Sequence, residues 1–199
     1  MVARPTLDAD RQLAARCASG DRAAQRELFA QARRPMHAVM YRILGSNHEV
    51  EDLLQDAFVS VFRSLHGYRG ESALTTWCCT IATRTTWAYL ERRRPPTTRL
   101  ELVDDPADDA PSATRIIAAR AALKQLYAIL DKLEPAQRIS FTLAVVDGRS
   151  LAEVSELTGA SLVAVKTRVW RARREVERRA AREPALLEFV TSLAPGDEP

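Results

Sequence analysis

A cluster of cationic and aromatic residues near the carboxyl end of the chain has the composition of a phosphate-binding surface. Eight basic and two acidic residues lie between positions 161 and 182, a density that can neutralise several phosphates. At helical spacing, one side of this segment is an apolar stripe of Leu162, Val165, Val169, Ala172 and Val176. The opposite side carries Thr167, Trp170, Arg171, Arg174 and Arg178, flanked by Lys166, Arg168 and Arg173. A solvated cationic helix would account for the charge but not for the large aromatic ring of Trp170, so we predict that this face binds DNA.

The segment before this helix has the pattern of a helix-turn-helix motif. Leu151, Val154 and Leu157 share one face of a short predicted helix, which Thr158-Gly159-Ala160 would end. A capping box at Ser150-Leu-Ala-Glu153 predicts its first residue. The second helix, beginning at Ser161, corresponds to a recognition helix, whose early residues enter the major groove. The residues expected at bases are Lys166, Thr167, Trp170 and Arg171, and those expected at phosphates are Arg168 and Arg173.

Helical periodicity dominates the rest of the chain, and no stretch alternates convincingly with a period of two, so we predict an all-α protein. The clearest stripe consists of Val50, Leu53, Leu54, Ala57, Phe58, Val61, Phe62 and Leu65. A second capping box, Ser46-Asn-His-Glu49, predicts where this helix begins. Other helices are expected from Asp21 to about Arg33, from Pro35 to Leu44, from Leu74 to Arg93 and from Thr114 to Leu133, with a further one that has Pro135 at its first position.

A segment rich in proline and acidic residues divides the chain into two domains. Residues 95–112 contain four prolines and five acidic residues but few large apolar groups, which is typical of a flexible, solvated linker. Pro95-Pro96 ends the preceding helix because neither proline can donate a backbone hydrogen bond. We therefore predict domains at 1–94 and 113–182, with a tail at 183–199 that is either a short docking helix or frayed. Both domains are net basic, which favours a nucleic-acid partner.

Residues that could support catalysis or bind a metal are sparse. The three histidines lack the HExxH spacing, no serine or cysteine lies in a recognised nucleophile motif, and no glycine loop could cradle phosphates. Cys17, Cys78 and Cys79 include no CxxC pair, which favours a cytoplasmic protein without a disulfide framework. The chain begins without an apolar segment of signal-peptide length, and its apolar runs are too short to span a bilayer. We expect no enzyme activity, cofactor, metal site or small-molecule substrate.

Motifs in both halves of the chain resemble those of one protein family. In the carboxyl-terminal half they are Leu133-Glu-Pro-Ala-Gln-Arg138, Gly148-Arg-Ser-Leu-Ala-Glu-Val154 and Val165-Lys-Thr-Arg-Val-Trp-Arg-Ala-Arg173. In the amino-terminal half they are Glu51-Asp-Leu-Leu-Gln-Asp-Ala-Phe58 and Tyr68-Arg-Gly-Glu-Ser-Ala-Leu-Thr-Thr-Trp77. The chain thereby resembles bacterial RNA polymerase sigma factors of the extracytoplasmic-function (ECF) group, in the sigma-70 family. The first set is similar to region 4, which reads the minus-35 element, and the second to region 2.

The resemblance implies a transcription initiation factor that binds core RNA polymerase, directs it to specific promoters and promotes promoter melting. It implies that Asp52, Gln55 and Asp56 dock on the clamp helices of polymerase, whereas an ordinary solvated acidic face is the better reading without it. The residues it places at the minus-10 strand are Tyr68, Arg69, Ser72, Leu74, Arg84 and Trp87. Trp77 is expected in the core. The implied partners are core polymerase (clamp helices and flap), promoter DNA and an anti-sigma factor, which can hold a cytoplasmic protein at the inner face of the membrane.

Two departures from the family's pattern bear on which promoter is read. Arg84 stands where the family often has asparagine, and Val163-Ala164 replaces the usual Gly-Thr before Val165-Lys166. Arg84 either reads a flipped base, where its two donors favour guanine acceptors, or holds a backbone phosphate. The alternative to a sigma factor is a stand-alone helix-turn-helix transcriptional regulator, which would bind paired half-sites as a dimer without polymerase.

Overall fold

The computed structural model describes residues 7–93, 113–181 and 184–192, and all regular structure in these ranges is helical. The amino-terminal domain contains α1 (Leu7–Ala18), α2 (Arg22–Leu44), α3 (Val50–Ser64), a short 3₁₀ turn (Leu65–Gly67) and α4 (Leu74–Arg92). The carboxyl-terminal domain contains α5 (Ala113–Leu130), α6 (Pro135–Phe141), α7 (Leu151–Thr158), α8 (Leu162–Ala180) and α9 (Pro184–Ser192). The predicted all-α class is confirmed. The predicted linker at 95–112 lies outside the described residues.

Helix α2 runs without interruption through Pro35, where the sequence predicted a break between two helices. A proline inside a helix removes one backbone hydrogen bond and crowds the preceding turn. Here the apolar stripe continues across the proline, since Leu28, Ala32 and Met36 are all fully buried. The free energy gained by burying these side chains on both sides of Pro35 outweighs the cost of the lost backbone hydrogen bond. The predicted break was therefore wrong. The predicted start is confirmed, because the Asp21 carboxylate accepts hydrogen bonds from the first turn of α2.

Helix α1, which the sequence analysis did not identify, caps the start of α4. Its Asp10 is buried and accepts a 2.8 Å hydrogen bond from the backbone N–H of Leu74. The residue before α4 is Ala73, which has no side-chain oxygen with which to cap the helix. A carboxylate 64 positions earlier in the sequence therefore takes the place of a local N-cap and meets the positive end of the helix dipole. This contact ties the end of the loop at 68–73 to α1.

The two predicted capping boxes have different outcomes. At α7 the box forms: the Ser150 side chain accepts from the Glu153 N–H, and the Glu153 carboxylate accepts from the Ser150 N–H at 2.9 Å. At α3 it does not, because the helix begins at Val50 with Glu49 as its N-cap and no capping side chain in the described residues. Ser46 Oγ instead donates to the Glu49 carboxylate at 3.3 Å. The prediction was correct at α7 and wrong at α3.

Tertiary partners of Glu49 explain the missing box. Its Oε1 accepts a 2.9 Å hydrogen bond from the Tyr89 hydroxyl and lies 3.6 Å from Arg93 Nη1. Tyr89 lies in the last turn of α4 and Arg93 directly follows that helix, so these two residues draw the carboxylate away from the backbone N–H that a capping box would use. Burial, reinforced by the hydrogen bond to Glu49, raises the pKa of Tyr89 to about 12.

The carboxyl-terminal domain positions α8 through tight turns at both ends of α7. Pro135 is the first residue of α6, as predicted, and α6 continues into a π-helical turn at 142–146. Gly159, with φ 68°, ends α7 in the left-handed conformation that glycine favours. Ser161 then caps α8 by accepting from the Ala164 N–H at 3.3 Å. The side chains of α8 that are buried against the domain are Val165, Val169, Ala172, Val176 and Ala180.

Over residues 184–192, the part of the tail that the structure describes, the chain forms a docked helix, α9, and is not frayed. Leu186 and Val190 of α9 are buried, and α9 packs against α5 and α8. The tail therefore completes the core of its own domain.

The cysteines have a packing role in this fold. Cys17, Cys78 and Cys79 are free and buried, and burial raises the pKa of Cys78 to about 12 and that of Cys79 to about 11. These thiols are therefore protonated at neutral pH and pack as small apolar groups. Across the described ranges, no group of three or more His, Cys, Asp or Glu side chains could hold a metal ion. The same ranges contain no helix both long and apolar enough to cross a bilayer.

Candidate nucleic-acid interface

Helix α8 presents a cationic and aromatic face to solvent, opposite its buried stripe. Trp170 is 56 % exposed, and the guanidinium carbon of Arg174 lies 5.0 Å from the centre of its ring. A cation–π contact of this kind holds the ring against the helix. The predicted DNA-binding residues Lys166, Thr167 and Arg171 are exposed, and Arg173 is half-buried. The structure thus brings these residues together on one accessible surface.

The first turn of α8 is exposed as well. Leu162, which the sequence placed in the buried stripe, is 52 % exposed, and Val163 is 76 % exposed. Leu162 is the first residue of the helix and lies about 60° round the axis from Val165, at the edge of the stripe. No preceding helical turn shields it there, so its predicted burial was wrong.

Arg168 leaves the exposed face of α8 and lies against the amino-terminal domain. Its guanidinium carbon is 5.5 Å from the centre of the Trp87 ring in α4. Its Nη1 is buried and has no hydrogen-bond partner among the described residues. A buried donor without a partner costs about 1–3 kcal/mol. This contact is therefore a weak point of the packing between the domains.

The loop predicted to hold the minus-10 strand is only partly accessible. Tyr68 is half-buried: its hydroxyl donates to the carbonyl of Ser72 at 2.7 Å, and its ring meets Trp77 edge-on with 5.5 Å between ring centres. Burial raises the pKa of Tyr68. Arg69 is exposed, but Leu74 is fully buried. The structure therefore does not bring Leu74 to a surface that DNA can reach.

Arg84 and Trp87 lie on α4, which packs against α7. Trp87 is half-buried beneath Arg168, and its Nε1 donates to the Glu91 carboxylate at 2.8 Å. Arg84 approaches the helix-turn-helix glycine, since a Cβ atom on Gly159 would lie 3.5 Å from Arg84 Nη2. Residues predicted for the two promoter elements thus face each other. The side chains of Trp87 and Arg168 cover one another, so DNA can contact both only if this contact between the domains opens.

A buried arginine, to which the sequence analysis gave no role, joins the domains near the end of α2. Arg138 in α6 is 3 % exposed, and it donates through Nε to the carbonyl of Ile43 and through Nη2 to that of Leu44, each at 2.9 Å. These carbonyls belong to the last turn of α2, which has no later turn to satisfy them. Asp131 forms an ion pair with the same guanidinium. Arg138 is therefore a cap that one domain supplies to the other.

Gly45 and Tyr127 complete this junction. Gly45 has φ 76°, and a Cβ atom there would lie only 2.3 Å from the Tyr127 ring. The Tyr127 hydroxyl donates to the carbonyl of Arg42 at 2.5 Å, and burial raises the pKa of Tyr127 to about 12. Arg42 Nε also lies 3.3 Å from the Asp147 carboxylate. The sequence signals at this junction are a glycine after a helix and the motif that ends at Arg138, and neither of them identifies the partner.

The side chains of α3 that were predicted to bind polymerase are exposed to solvent in this packing of the two domains. Asp52, Gln55 and Asp56 are exposed on the side opposite the buried stripe of α3. Val59, 48 % exposed, continues the same face one turn further along the helix. The predicted polymerase-binding residues therefore form one contiguous surface.

Both domains match models of one family. Residues 28–95 match Sigma-70 region 2, and residues 123–176 match Sigma-70 region 4. Together the two models match more than half of the chain, one on each helical domain. The matched ranges contain Asp52, Gln55 and Asp56 of α3 and residues 166–174 of α8.

Named relatives are similar to the chain over both domains. The ECF RNA polymerase sigma factor SigG of Mycobacterium tuberculosis is 34% identical, over 79% of this chain and 48% of SigG, so the chain spans about half the length of that relative. The ECF RNA polymerase sigma-E factor of Escherichia coli is 27% identical, over 84% of this chain and 92% of its own length. The solved structure of CnrH in complex with the cytosolic domain of CnrY has a TM-score of 0.59 at 25% identity, over 88% of this chain and 99% of that chain.

Proposed function

The chain belongs to the sigma-70 family of RNA polymerase sigma factors, in its ECF group, and on this premise we propose that it is a transcription initiation factor. It binds core RNA polymerase, directs it to promoters through the minus-35 and minus-10 elements, promotes melting and catalyses no reaction itself. The observation that carries the proposal is that both sigma regions are present in order on one chain, with the cationic face of α8 open to solvent. A stand-alone helix-turn-helix regulator would need only the second region and is not favoured.

In this proposal the acidic face of α3 docks on the clamp helices of core polymerase, and the carboxyl-terminal domain contacts the flap. The exposure of Asp52, Gln55 and Asp56 supports the first contact, because these side chains can reach a basic partner without any change in the domain packing. Complementary charge speeds association and fixes the orientation of the two surfaces.

Helix α8 enters the major groove at the minus-35 element. Lys166, Thr167, Trp170 and Arg171 contact base edges, and Arg173 at the edge of the face binds phosphate. Arg168 also binds phosphate, but only after it has left the ring of Trp87.

The melted minus-10 strand is held by the loop at 68–73 and by α4. Base–aromatic stacking stabilises an unpaired base by about 1–3 kcal/mol, and Tyr68 and Trp87 supply the rings. Arg69, Ser72 and Arg84 contribute polar contacts, while Leu74 supports the loop from within the core. Since Trp87 is covered by Arg168 in the compact chain, binding to polymerase must separate the domains before melting begins.

A regulatory partner is part of the proposal. The resemblance implies an anti-sigma factor, and CnrH was solved with the cytosolic domain of a second protein, CnrY. We infer that this chain is cytoplasmic and that such a partner can hold it at the inner face of the membrane.

Run-off transcription with purified bacterial core polymerase on a panel of candidate promoters tests the proposal. The chain should add transcripts that start at specific promoters and that core polymerase alone does not make. Asp52→Arg combined with Asp56→Arg should weaken core binding about thirtyfold or more, because it reverses the charge of the docking face, and should leave helical content unchanged.

A matched control carries the same change in charge outside α3. Asp8→Arg combined with Glu188→Arg replaces two exposed acidic side chains in α1 and α9 and should leave core affinity close to that of the parent chain. Equal affinity of both double variants would remove the assignment of the α3 face, and no promoter-specific transcript from any promoter would remove the proposed function.

A further inference from the structure

The exposed face of α8 also carries apolar side chains, and the contacts proposed above give no role to one of them, Val163. Val163, at 76 % exposure, is the most exposed of the large apolar side chains in the described residues. Val163, Thr167 and Trp170 follow one another at intervals of four and three positions, so they lie on one face of the helix. Arg174 extends the same line and packs on the Trp170 ring.

Packing within the described fold does not explain a valine at position 163. A side chain three-quarters exposed gains little from burial, and a β-branched residue is less favourable in a helix than alanine. The apolar residues that hold α8 in the domain, such as Val165 and Val169, lie on the opposite side. Val163 is therefore placed to contact a binding partner.

Thr167 makes the neighbouring surface poor in hydrogen-bond donors. Its hydroxyl donates to the carbonyl of Val163 at 2.9 Å. A threonine hydroxyl has one hydrogen to donate, so this bond leaves acceptor lone pairs and a methyl group for any partner. The surface formed by Val163 and Thr167 thus presents mainly methyl groups.

The charge around these methyl groups identifies the class of partner. Lys166 and Arg171 are exposed on either side of this line of side chains. An apolar centre with a cationic rim matches the major groove of DNA, where phosphates form the edges and the thymine 5-methyl group is the apolar feature inside. An apolar groove on a protein would leave both cations without counter-charge.

We propose that Val163 recognises thymine at one position of the minus-35 element through contact with its 5-methyl group, next to the bases read by Lys166 and Thr167. The inference rests on the proposed sigma function and extends it by naming the chemistry of one base contact. Val163→Ala removes both γ-methyl groups, the part of this side chain that extends furthest from α8.

Deoxyuridine substitution tests the proposal, because it removes the 5-methyl group and changes no hydrogen bond. The holoenzyme is measured for binding to a promoter found in the transcription assay, with each thymine of the minus-35 element replaced in turn. At one position, replacement should weaken binding of the parent holoenzyme about fourfold, as expected for loss of one buried methyl group.

Two variants assign the effect to its residue. Val163→Ala should weaken binding to the thymine promoter and abolish the difference between thymine and deoxyuridine at that position. Leu162→Ala is the matched control, since it removes a neighbouring exposed apolar side chain that lies about 100° round the helix; it should retain the fourfold difference. If the difference persists in Val163→Ala, or if no thymine is sensitive to its methyl group, the assignment is overturned. Promoter-specific transcription in either case leaves the sigma function standing, so the two failures are distinguishable.

Discussion

The two surfaces assigned to promoter DNA differ in how far the free chain exposes them. On α8, the ring of Trp170 is more than half exposed and is steadied by an arginine of its own helix. On α4, the ring of Trp87 is half-buried and covered by Arg168, an arginine of the other domain. A cation–π contact thus leaves the Trp170 ring exposed on its own helix, whereas the other one covers the Trp87 ring. Under the proposed function, the free chain would therefore expose the minus-35 surface and cover part of the minus-10 surface.

The contact that covers Trp87 is less well satisfied than the junction that Arg138 forms between the same two domains. Arg168 has a buried nitrogen without a partner in the described residues, whereas Arg138 binds two carbonyls and a carboxylate. We therefore expect the junction at Arg138 to hold the domains together and the contact at Arg168 to open readily once that junction is lost.

The largest effect is expected from Arg138→Ala, which should remove the difference between the two surfaces. It leaves two helix-end carbonyls and Asp131 without their partner, and breaking a buried ion pair in this way costs about 3–5 kcal/mol. Urea unfolding should show that the free energy of unfolding falls by about that amount. Without polymerase, the Arg138→Ala variant should bind a single-stranded minus-10 oligonucleotide more tightly than the parent chain does.

Arg42→Ala is the control for this variant. It removes a half-exposed ion pair to Asp147 at the same junction, which should change the free energy of unfolding by less than about 1 kcal/mol. If the two variants unfold at the same urea concentration, Arg138 does not hold the domains together.

The two tryptophans should respond in opposite ways. Trp170→Ala removes an exposed ring at the centre of the minus-35 face and should weaken binding of a minus-35 duplex by about 2 kcal/mol, or roughly thirtyfold. Trp87→Ala should not weaken duplex binding by the free chain, because it frees Arg168 to bind phosphate, but it should slow open-complex formation by the holoenzyme. Fluorescence anisotropy and open-complex kinetics measure these effects, and equal losses in both assays from both variants would contradict the division between the surfaces.

A smaller effect, in base preference, is expected from Arg84→Asn. An arginine fork donates two bonds and favours guanine, whereas asparagine matches the donor and acceptor of adenine. With each of the four bases at the flipped minus-10 position, Arg84→Asn should change the preferred base by about tenfold in open-complex formation. Tyr68→Ala should slow opening on all four templates alike, because stacking has little sequence preference. An unchanged ranking in Arg84→Asn would leave only a phosphate contact.

The smallest effect is expected from the cap of α7, the first helix of the helix-turn-helix. Ser150→Ala should lower the free energy of unfolding by about 1 kcal/mol, whereas Ser46→Ala, which removes no backbone cap, should change it by less. Hydrogen bonds from the Ser150 side chain and backbone lower the pKa of Glu153. Its contribution is therefore complete above the ordinary carboxyl pKa and is lost as the pH falls through the lowered value, so the effect of Ser150→Ala should shrink in acid. A pH-independent effect would show that the carboxylate takes no part.

Local rules predicted features whose partners lie nearby in the sequence. Interactions within about one helical turn determine four features that were predicted: the turn at Gly159, the capping box at Ser150, the proline that begins α6 and the exposed face around Trp170. Where partners are distant, the same rules failed. The box expected at Ser46 is absent because Tyr89 and Arg93 bind Glu49, and Pro35 does not break α2 because the core continues across it.

The features that no local pattern indicated are contacts between distant segments. Asp10 caps a helix that begins at Leu74, and Arg138 caps one that ends at Leu44. An aspartate or arginine in a helix is ordinary in a sequence, and only the fold shows which carbonyl or N–H it reaches. The covering of Trp87 by Arg168 belongs to the same class. The residues that face DNA stay a prediction from the sequence, and no sequence pattern indicated which of them are covered in the free chain.

The most direct test of whether the domains separate on polymerase is the distance between α4 and α8 with and without core RNA polymerase. Spin labels on Ala88→Cys and Glu177→Cys, two exposed positions outside the assigned DNA contacts, report it by electron paramagnetic resonance, and the native cysteines are buried. We expect one short distance in the free chain that is replaced by a longer one on addition of core polymerase. The Asp52→Arg, Asp56→Arg variant should keep the short distance. A distance that core polymerase leaves unchanged, in a chain that still directs transcription, would contradict the claim that the minus-10 surface is uncovered on the polymerase.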